Sequence, residues 1–353
     1  MNPREKFLNR LGIRHPIVQA PMAGVATPQL AAAVTDSGGL GSLGIGASST
    51  VQAREMIEQT QALTSGPINV NVFCHQPAHR DVDIETAWLE HLAPLFAEAG
   101  TELPDSLSEI YTSFTEDGHT LKMLLELKPA VVSFHFGLPS AEYLEAFKKA
   151  GICTMATATS PSEAAKIEKA GIDVIVAQGI EAGGHRGMFN PDATDECLST
   201  SVLVRLLASQ TSLPIVAAGG IMDGYAMNAA LKAGATAVQL GTAFILCPES
   251  SANQAYREAL KSDRAAETRL TKVLSGRPAR GMVNRLISFG EAENSPRPAD
   301  YPVAYDATKR LNAAASKRGN HEFAAQWAGQ GAPLARELPA SELMALILKE
   351  SQD

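Results

Sequence analysis

An α/β fold, a (β/α)8 TIM barrel with a smaller, mainly helical second domain or cap, is what this sequence predicts, and three observations predict it. Eight short β-branched apolar runs recur over the first 244 residues. Segments with helical spacing, many rich in alanine, fall between most of them. The runs are apolar throughout rather than alternating, so both faces of each strand are covered, as in a parallel sheet flanked by helices.

Taken in order, the predicted strands are Pro16–Met22, Gly39–Gly44, Ile68–Phe73, Val131–Gly137, Cys153–Thr157, Val174–Gly179, Pro214–Gly220 and Ala237–Phe244. Helical spacing is clear at Thr27–Asp36, Val51–Leu63, Ala141–Lys149, Pro161–Ala170 and Gly224–Lys232. Gly151, Gly171 and Gly234 follow three of these helices, where glycine ends a helix before the next strand. Residues 74–130 are too long for one crossover and predict two helices, the second near Leu121–Leu127. Beyond Phe244 the strand pattern stops. Residues 250–335 read as helices and loops with many arginines and a Pro-rich stretch at Ser295–Pro302, and Ser341–Lys349 has an amphipathic pattern that packs back on the barrel. The expected division is a barrel over 1–248 and 338–353 and a cap over 249–337. A doubly wound open sheet is the alternative architecture.

Composition narrows the function classes. The chain has 353 residues, 45% of them apolar and 19% charged, enough for a sizeable core and too few charges for extended disorder. A net charge of −8 argues against a nucleic-acid partner or an anionic membrane surface. Four scattered cysteines (Cys74, Cys153, Cys197 and Cys247) form no CxxC pair and point to a reducing compartment. The charged N-terminus lacks the apolar stretch of a secretory signal, and no run is long enough to span a membrane. A cytoplasmic monomer or homodimer is expected.

Barrel active sites lie at the C-terminal ends of the strands. There the seventh run ends in Ala217-Ala218-Gly219-Gly220 and the eighth in Gln239-Leu240-Gly241-Thr242. Glycine between a strand and a helix start lets backbone N–H groups approach a phosphate, which points to a phosphate-bearing ligand, although tight turns alone would also use these glycines. The sixth run ends in Gln178-Gly179-Ile180-Glu181-Ala182-Gly183-Gly184-His185-Arg186-Gly187. A histidine set among glycines at a strand end suits a general base or an anion contact better than a packing role. His135 points to the same rim from the fourth run, as a substrate contact or a core histidine. Asn71, inside the third, needs hydrogen-bond partners that a bound ring edge or an internal network would supply.

Other patterns fail on context. Gly39-Leu40-Gly41-Ser42-Leu43-Gly44 matches GxGxxG, but a helix precedes it and the glycines lie within a strand. Cys74, His75 and His79 lack a fourth ligand, so no metal is expected. No Gly-x-Ser-x-Gly elbow occurs.

Gln19-Ala20-Pro21-Met22-Ala23-Gly24-Val25, the Gly38-Gly39-Leu40-Gly41 run, the His185 motif and the two glycine turns together resemble the nitronate monooxygenases, formerly 2-nitropropane dioxygenases. Tyr301-Pro302-Val303-Ala304-Tyr305-Asp306-Ala307-Thr308-Lys309 resembles a late motif of their class I members, including bacterial ones that use propionate 3-nitronate. The resemblance implies noncovalent FMN and oxidation of alkyl nitronates by O2 to a carbonyl compound and nitrite. It places FMN contacts at Ala20, Pro21, Met22, Asn71, Gln178, Gly183, Gly219, Gly220, Gln239, Leu240, Gly241 and Thr242. His185 matches the catalytic histidine, and Tyr111, Tyr301, Tyr305 and Lys309 line the substrate pocket with His135 beside it. A nitronate is already an anion, so Lys309 and a protonated or N–H-donating His185 would offset its charge. Competing readings are an FMN-dependent NAD(P)H:quinone or enoyl reductase on the same barrel, and a non-catalytic phosphate-ligand-binding barrel.

Overall fold

A computed structural model describes residues 3–352. Eight parallel strands form the central sheet: β1 (Ile17–Gln19), β2 (Gly41–Gly44), β3 (Ile68–Phe73), β4 (Val131–His135), β5 (Cys153–Ala158), β6 (Val174–Gln178), β8 (Ile215–Ala218) and β9 (Ala237–Leu240). The two-residue strand β7 (Gly184–His185) lies outside it. The order is β1-β9-β8-β6-β5-β4-β3-β2. A parallel bridge between Val18 and Leu40 joins the two ends, with Leu40 N–H donating to Ile17 O at 2.9 Å and Gln19 N–H to Leu40 O at 3.0 Å. The sheet therefore closes into a barrel, and the open-sheet alternative falls.

The helices are α1 (Pro3–Leu11), α2 (Pro28–Asp36), α3 (Thr50–Leu63), α4 (Val82–Ala99), α5 (Gly118–Leu127), α6 (Ala141–Lys149), α7 (Pro161–Lys169), α8 (Thr200–Gln210), α9 (Gly224–Ala233), α10 (Gln254–Leu260), α11 (Arg285–Gly290), α12 (Val303–Ser316) and α13 (Ala340–Glu350). Period-two alternation divides each strand between two layers. On β6, Val174 and Val176 join a buried cluster with Val18, Leu40 and Val216, while Ile175 and Ala177 pack with the layer that holds Ile167 of α7 and Leu203 of α8. Phe7 and Leu11 of α1 belong to the first cluster, so this helix stoppers the barrel; burying each side chain contributes roughly 1.5–3 kcal/mol. Residues 74–130 carry two helices, as expected, α4 and α5.

Two differences from the sequence expectation affect the site. The strands end earlier than their apolar runs: β4 at His135, β8 at Ala218 and β9 at Leu240. Phe136 and Gly219 have φ of 74° and 122°, values no strand accepts. The second difference is a hairpin in the segment read as helix and loop. β10 (Thr268–Thr271) and β11 (Ala279–Met282) pair antiparallel, and β11 pairs with β7. Short, arginine-containing strands such as Ala279-Arg280-Gly281-Met282 carry no hydrophobic alternation, so nothing in the pattern marks them. A second core joins Trp88 and Phe96 of α4 to Ile287 of α11, Leu311 of α12 and Phe323, so the insertion after β3 packs with residues of the expected cap. No described helix is long and apolar enough to cross a membrane. The four cysteines are free, three of them buried.

Candidate active site

A cavity of about 880 Å³ opens at the C-terminal ends of the barrel strands. Its lining gathers residues remote in sequence: Ala20, Pro21 and Met22 after β1, Asn71 on β3, His135 on β4, Gln178 on β6, and Gly183 and His185 before and on β7. Gly219 and Gly220 after β8, and Gln239, Gly241 and Thr242 around the end of β9, line it as well. Tyr111, Tyr301, Tyr305 and Lys309 close it from the other side. Of the predicted site residues, Leu240 alone does not reach the cavity. Strand alternation turns Gln239 inward and Leu240 into the core, where it is 1% exposed.

The two glycine turns present donors without acceptors. Among the described residues, none accepts from the N–H groups of Gly219, Gly220, Gly241 or Thr242. Gly219 and Gly220 have φ of 122° and 69°, which turn the backbone away from β8. The Thr242 hydroxyl accepts from Gly329 N at 3.0 Å. Gly183 and Gly329 approach so closely that a Cβ on Gly183 would lie 2.5 Å from Gly329 N. These groups form a narrow, donor-rich pocket between the loops that follow β8 and β9, which fits a phosphate.

The polar residues of the barrel side are largely fixed by one another. Asn71 Nδ2 donates to Ser133 Oγ at 2.9 Å and Ser133 O at 3.2 Å, which leaves Oδ1 as an acceptor at the cavity. The internal network thus supplies part of what Asn71 needs. Gln178 serves the loop after it: Nε2 donates to His185 O at 3.0 Å and Oε1 accepts from Gly187 N at 2.8 Å. His135 Nε2 donates to the same His185 carbonyl at 3.1 Å, so Nδ1 accepts from the Thr157 hydroxyl at 3.0 Å. Both ring nitrogens of His135 are engaged, and its visible work is to hold the backbone of His185. Arg186, 1% exposed, donates through Nε and Nη2 to Asp195 at 2.8 and 2.9 Å and through Nη1 to Gln178 O at 2.7 Å.

His185 is surrounded by rings: Trp327 at 5.1 Å, Tyr301 at 5.3 Å, Phe136 at 5.5 Å and Tyr305 at 6.2 Å between centroids. Burial, reinforced by His135, Arg277 and His75, holds its pKa well below the ordinary histidine value. Burial likewise brings His135 and His75 down to about 4. The resting imidazoles are therefore neutral near pH 7, and the protonated form considered for His185 is not that of the free site. Burial pushes the Tyr305 hydroxyl up to about 12 and Tyr301 well above its ordinary value, so the tyrosines remain proton donors. The Lys309 ammonium sits over the rings of Tyr111 and Tyr305, 4.9 and 5.3 Å from their centroids. Glu55 and Lys309 are the charged side chains of the lining, and Glu55 is exposed on α3. Arg277 stands behind Phe136, 4.1 Å over its ring. Neutral imidazoles, protonated tyrosines and nearby cations suit an anion.

Sequence reasoning missed Tyr256, Trp327 and Ser275. Tyr256 and Trp327 line the cavity and are joined by a hydrogen bond from the Tyr256 hydroxyl to Trp327 O. The Gly329-Gln330-Gly331 spacing was a usable signal, since a Cβ on Gly329 would lie 2.7 Å from Glu181 O. Among the described residues no cluster of three or more histidine, cysteine or acidic side chains is arranged to hold a metal.

A sequence profile described as nitronate monooxygenase matches residues 4–350. The chain is 57% identical over 346 residues to a nitronate monooxygenase of Pseudomonas aeruginosa, covering 98% of this chain and 99% of that one. It is 55% identical over 347 residues to a nitronate monooxygenase of Paraburkholderia phytofirmans, covering 98% and 95%. Among solved structures it resembles a nitroalkane oxidase of Streptomyces ansochromogenes, with a TM-score of 0.88, 40% identity and coverage of 98% and 97%.

Proposed function

Since this chain belongs to the nitronate monooxygenase family, a family of flavin-dependent oxidoreductases, we propose that it binds FMN noncovalently and oxidises propionate 3-nitronate with O2, giving a carbonyl compound and nitrite. The observation that carries this reading is that one cavity joins the unpaired N–H groups of the glycine turns to His185 and Lys309. When bound, FMN supplies the electron acceptor for the substrate and passes electrons on to O2.

The chain's own residues supply position and charge. Gly219, Gly220, Gly241 and Thr242 would take the phosphate. Asn71 and the residues Ala20, Pro21 and Met22, which line the same cavity, would hold the remainder of the cofactor. Lys309 offsets the charge of an anionic substrate, and the hydroxyls of Tyr111, Tyr301 and Tyr305 donate to its oxygens. His185 meets the nitro oxygens of a nitronate as a hydrogen-bond partner, and would act as proton acceptor only toward the α-carbon of a neutral nitroalkane. An anion bound beside it favours its protonated form, opposing the burial that keeps it neutral at rest.

The test is an aerobic assay with propionate 3-nitronate that follows O2 uptake and nitrite alongside the visible spectrum. A yellow protein that consumes O2 and releases nitrite supports the assignment. A colourless protein that gains nothing from added FMN sinks the cofactor. Rapid anaerobic bleaching by NADH without nitronate turnover favours the reductase reading.

Lys309 gives a second expectation. Hydrogen bonds to charged groups contribute about 1.5–3 kcal/mol, so Lys309→Met raises KM for an anionic nitronate roughly 10-fold or more, and for a neutral nitroalkane by much less. Equal effects would make the lysine a part of the cap alone. Burial lowers its pKa from the ordinary lysine value. The cation is therefore lost as pH rises, so kcat/KM for the nitronate falls on the alkaline side, below the pH of an ordinary lysine. Lys309→Met lacks that limb, and the tyrosines do not replace it because their hydroxyls ionise later.

A further inference from the structure

The strongest observation left outside the proposed reaction is Ser275, in the turn between β10 and β11. It is fully buried, and its Oγ lies 2.9 Å from His185 Nε2 and 3.1 Å from the Arg277 carbonyl oxygen. Arg277 N–H reaches the same Oγ at 3.4 Å. A hydroxyl carries one proton. The carbonyl can only accept, and among the described residues it has no other donor, so the Ser275 proton goes to Arg277 O. Its lone pairs then face Arg277 N–H and His185 Nε2, and only a protonated Nε2 matches them. Nδ1 has no hydrogen-bond partner among the described residues, and the ring lines the cavity.

We propose that Ser275 is a positioning residue that fixes the tautomer of His185, holding the proton on Nε2 and leaving Nδ1 as the acceptor toward the cavity. The assignment rests on the reading of His185 given above. The surrounding structure makes the contact rigid. β11 pairs Ala279 with His185, so the strand beside the serine also carries the histidine backbone. The His185 carbonyl is held by His135 and Gln178 together. The turn itself cannot shift easily: Gly276 has φ of 86°, and a Cβ there would lie 2.2 Å from Ala299 O. Of the two roles open to a neutral imidazole, this arrangement selects proton acceptance. An N–H donated to the substrate by resting His185 is excluded by it.

The test is 15N NMR of FMN-loaded, histidine-labelled enzyme, with His185→Gln identifying the His185 signals. The expected wild-type spectrum has a protonated Nε2 and an unprotonated Nδ1. Ser275→Ala should bring the two shifts toward each other as both tautomers populate, and Ser275→Thr, which keeps the hydroxyl, should restore them. With a neutral nitroalkane, which must lose its α-proton, Ser275→Ala should lower kcat about 10-fold or more while KM changes little; with the nitronate, which has no such proton to give, kcat should change much less. A wild-type proton on Nδ1, or shifts unchanged in Ser275→Ala with flavin and melting temperature retained, overturns the proposal. Shifts that follow Ser275 while His185→Gln turns over normally support the positioning and remove His185 from the chemistry.

Discussion

Gly220→Asp is expected to give a folded protein that purifies without flavin. Gly220 has φ of 69°, a left-handed conformation that aspartate and asparagine tolerate better than other side chains. A Cβ there would meet the Glu181 Cβ at 3.2 Å, and the Glu181 carboxylate is held by Thr200, so any side chain at this position carries a steric cost. That cost is common to aspartate and asparagine, which have the same shape. Charge is different: the new carboxylate would stand beside N–H groups assigned to a dianionic phosphate. Two unit charges 4 Å apart repel by about 4 kcal/mol at an effective dielectric of 20, and half of that already weakens binding roughly 30-fold. With two phosphate charges, FMN should bind roughly 100-fold or more weakly. Gly220→Asn, of nearly the same size and uncharged, should bind FMN at least about 10-fold more tightly than Gly220→Asp. Fluorescence titration of the stripped proteins with FMN measures both. Equal affinities in the aspartate and asparagine variants would move the phosphate away from this turn.

The barrel was legible because its strands are apolar on both faces and its helix ends are punctuated by glycine. Gly151 and Gly171 are left-handed, at φ of 74° and 78°, where the sequence reading placed helix ends. The site was legible to the extent that strand ends and the loops that follow them must carry it: a histidine among glycines in the segment after β6 had few structural uses. Two kinds of information were not legible. Gln239 and Leu240 are named together by the family resemblance, which carries no strand register; alternation turns Gln239 to the cavity and Leu240 to the core. The partner of His185 lies 90 residues away in a hairpin whose strands have no apolar rhythm. A buried serine that satisfies a histidine looks in sequence like any turn serine. The same holds for the second role of Gln178, which lines the cavity and whose amide also clamps the loop carrying His185.

That loop depends on a buried ion pair, and removing one partner should be costly. Asp195→Ala is expected to destabilise the protein by about 3–5 kcal/mol, because it leaves the guanidinium of Arg186 buried without its counterion. Arg186→Met combined with Asp195→Ala should lose less than Asp195→Ala alone, since no unpaired charge remains. It should still fall below wild type, because Gln178 O loses its donor. The midpoint of urea unfolding, compared at equal FMN, separates these cases. A double variant no more stable than Asp195→Ala would mean that the cost lies in lost contacts and not in the stranded charge. The pair also has a pH signature. Burial would raise the Asp195 carboxyl, but the Arg186 hydrogen bonds prevail and hold it below the usual carboxylate range. Its contribution is therefore complete above the unfolded value, about pH 3.9, and disappears as pH falls through the lower folded value. Activity should respond before unfolding does. Arg186 follows His185 directly and binds the carbonyl of Gln178, whose side chain holds the His185 backbone, so loosening the pair releases the histidine from the geometry in which Ser275 meets its ring.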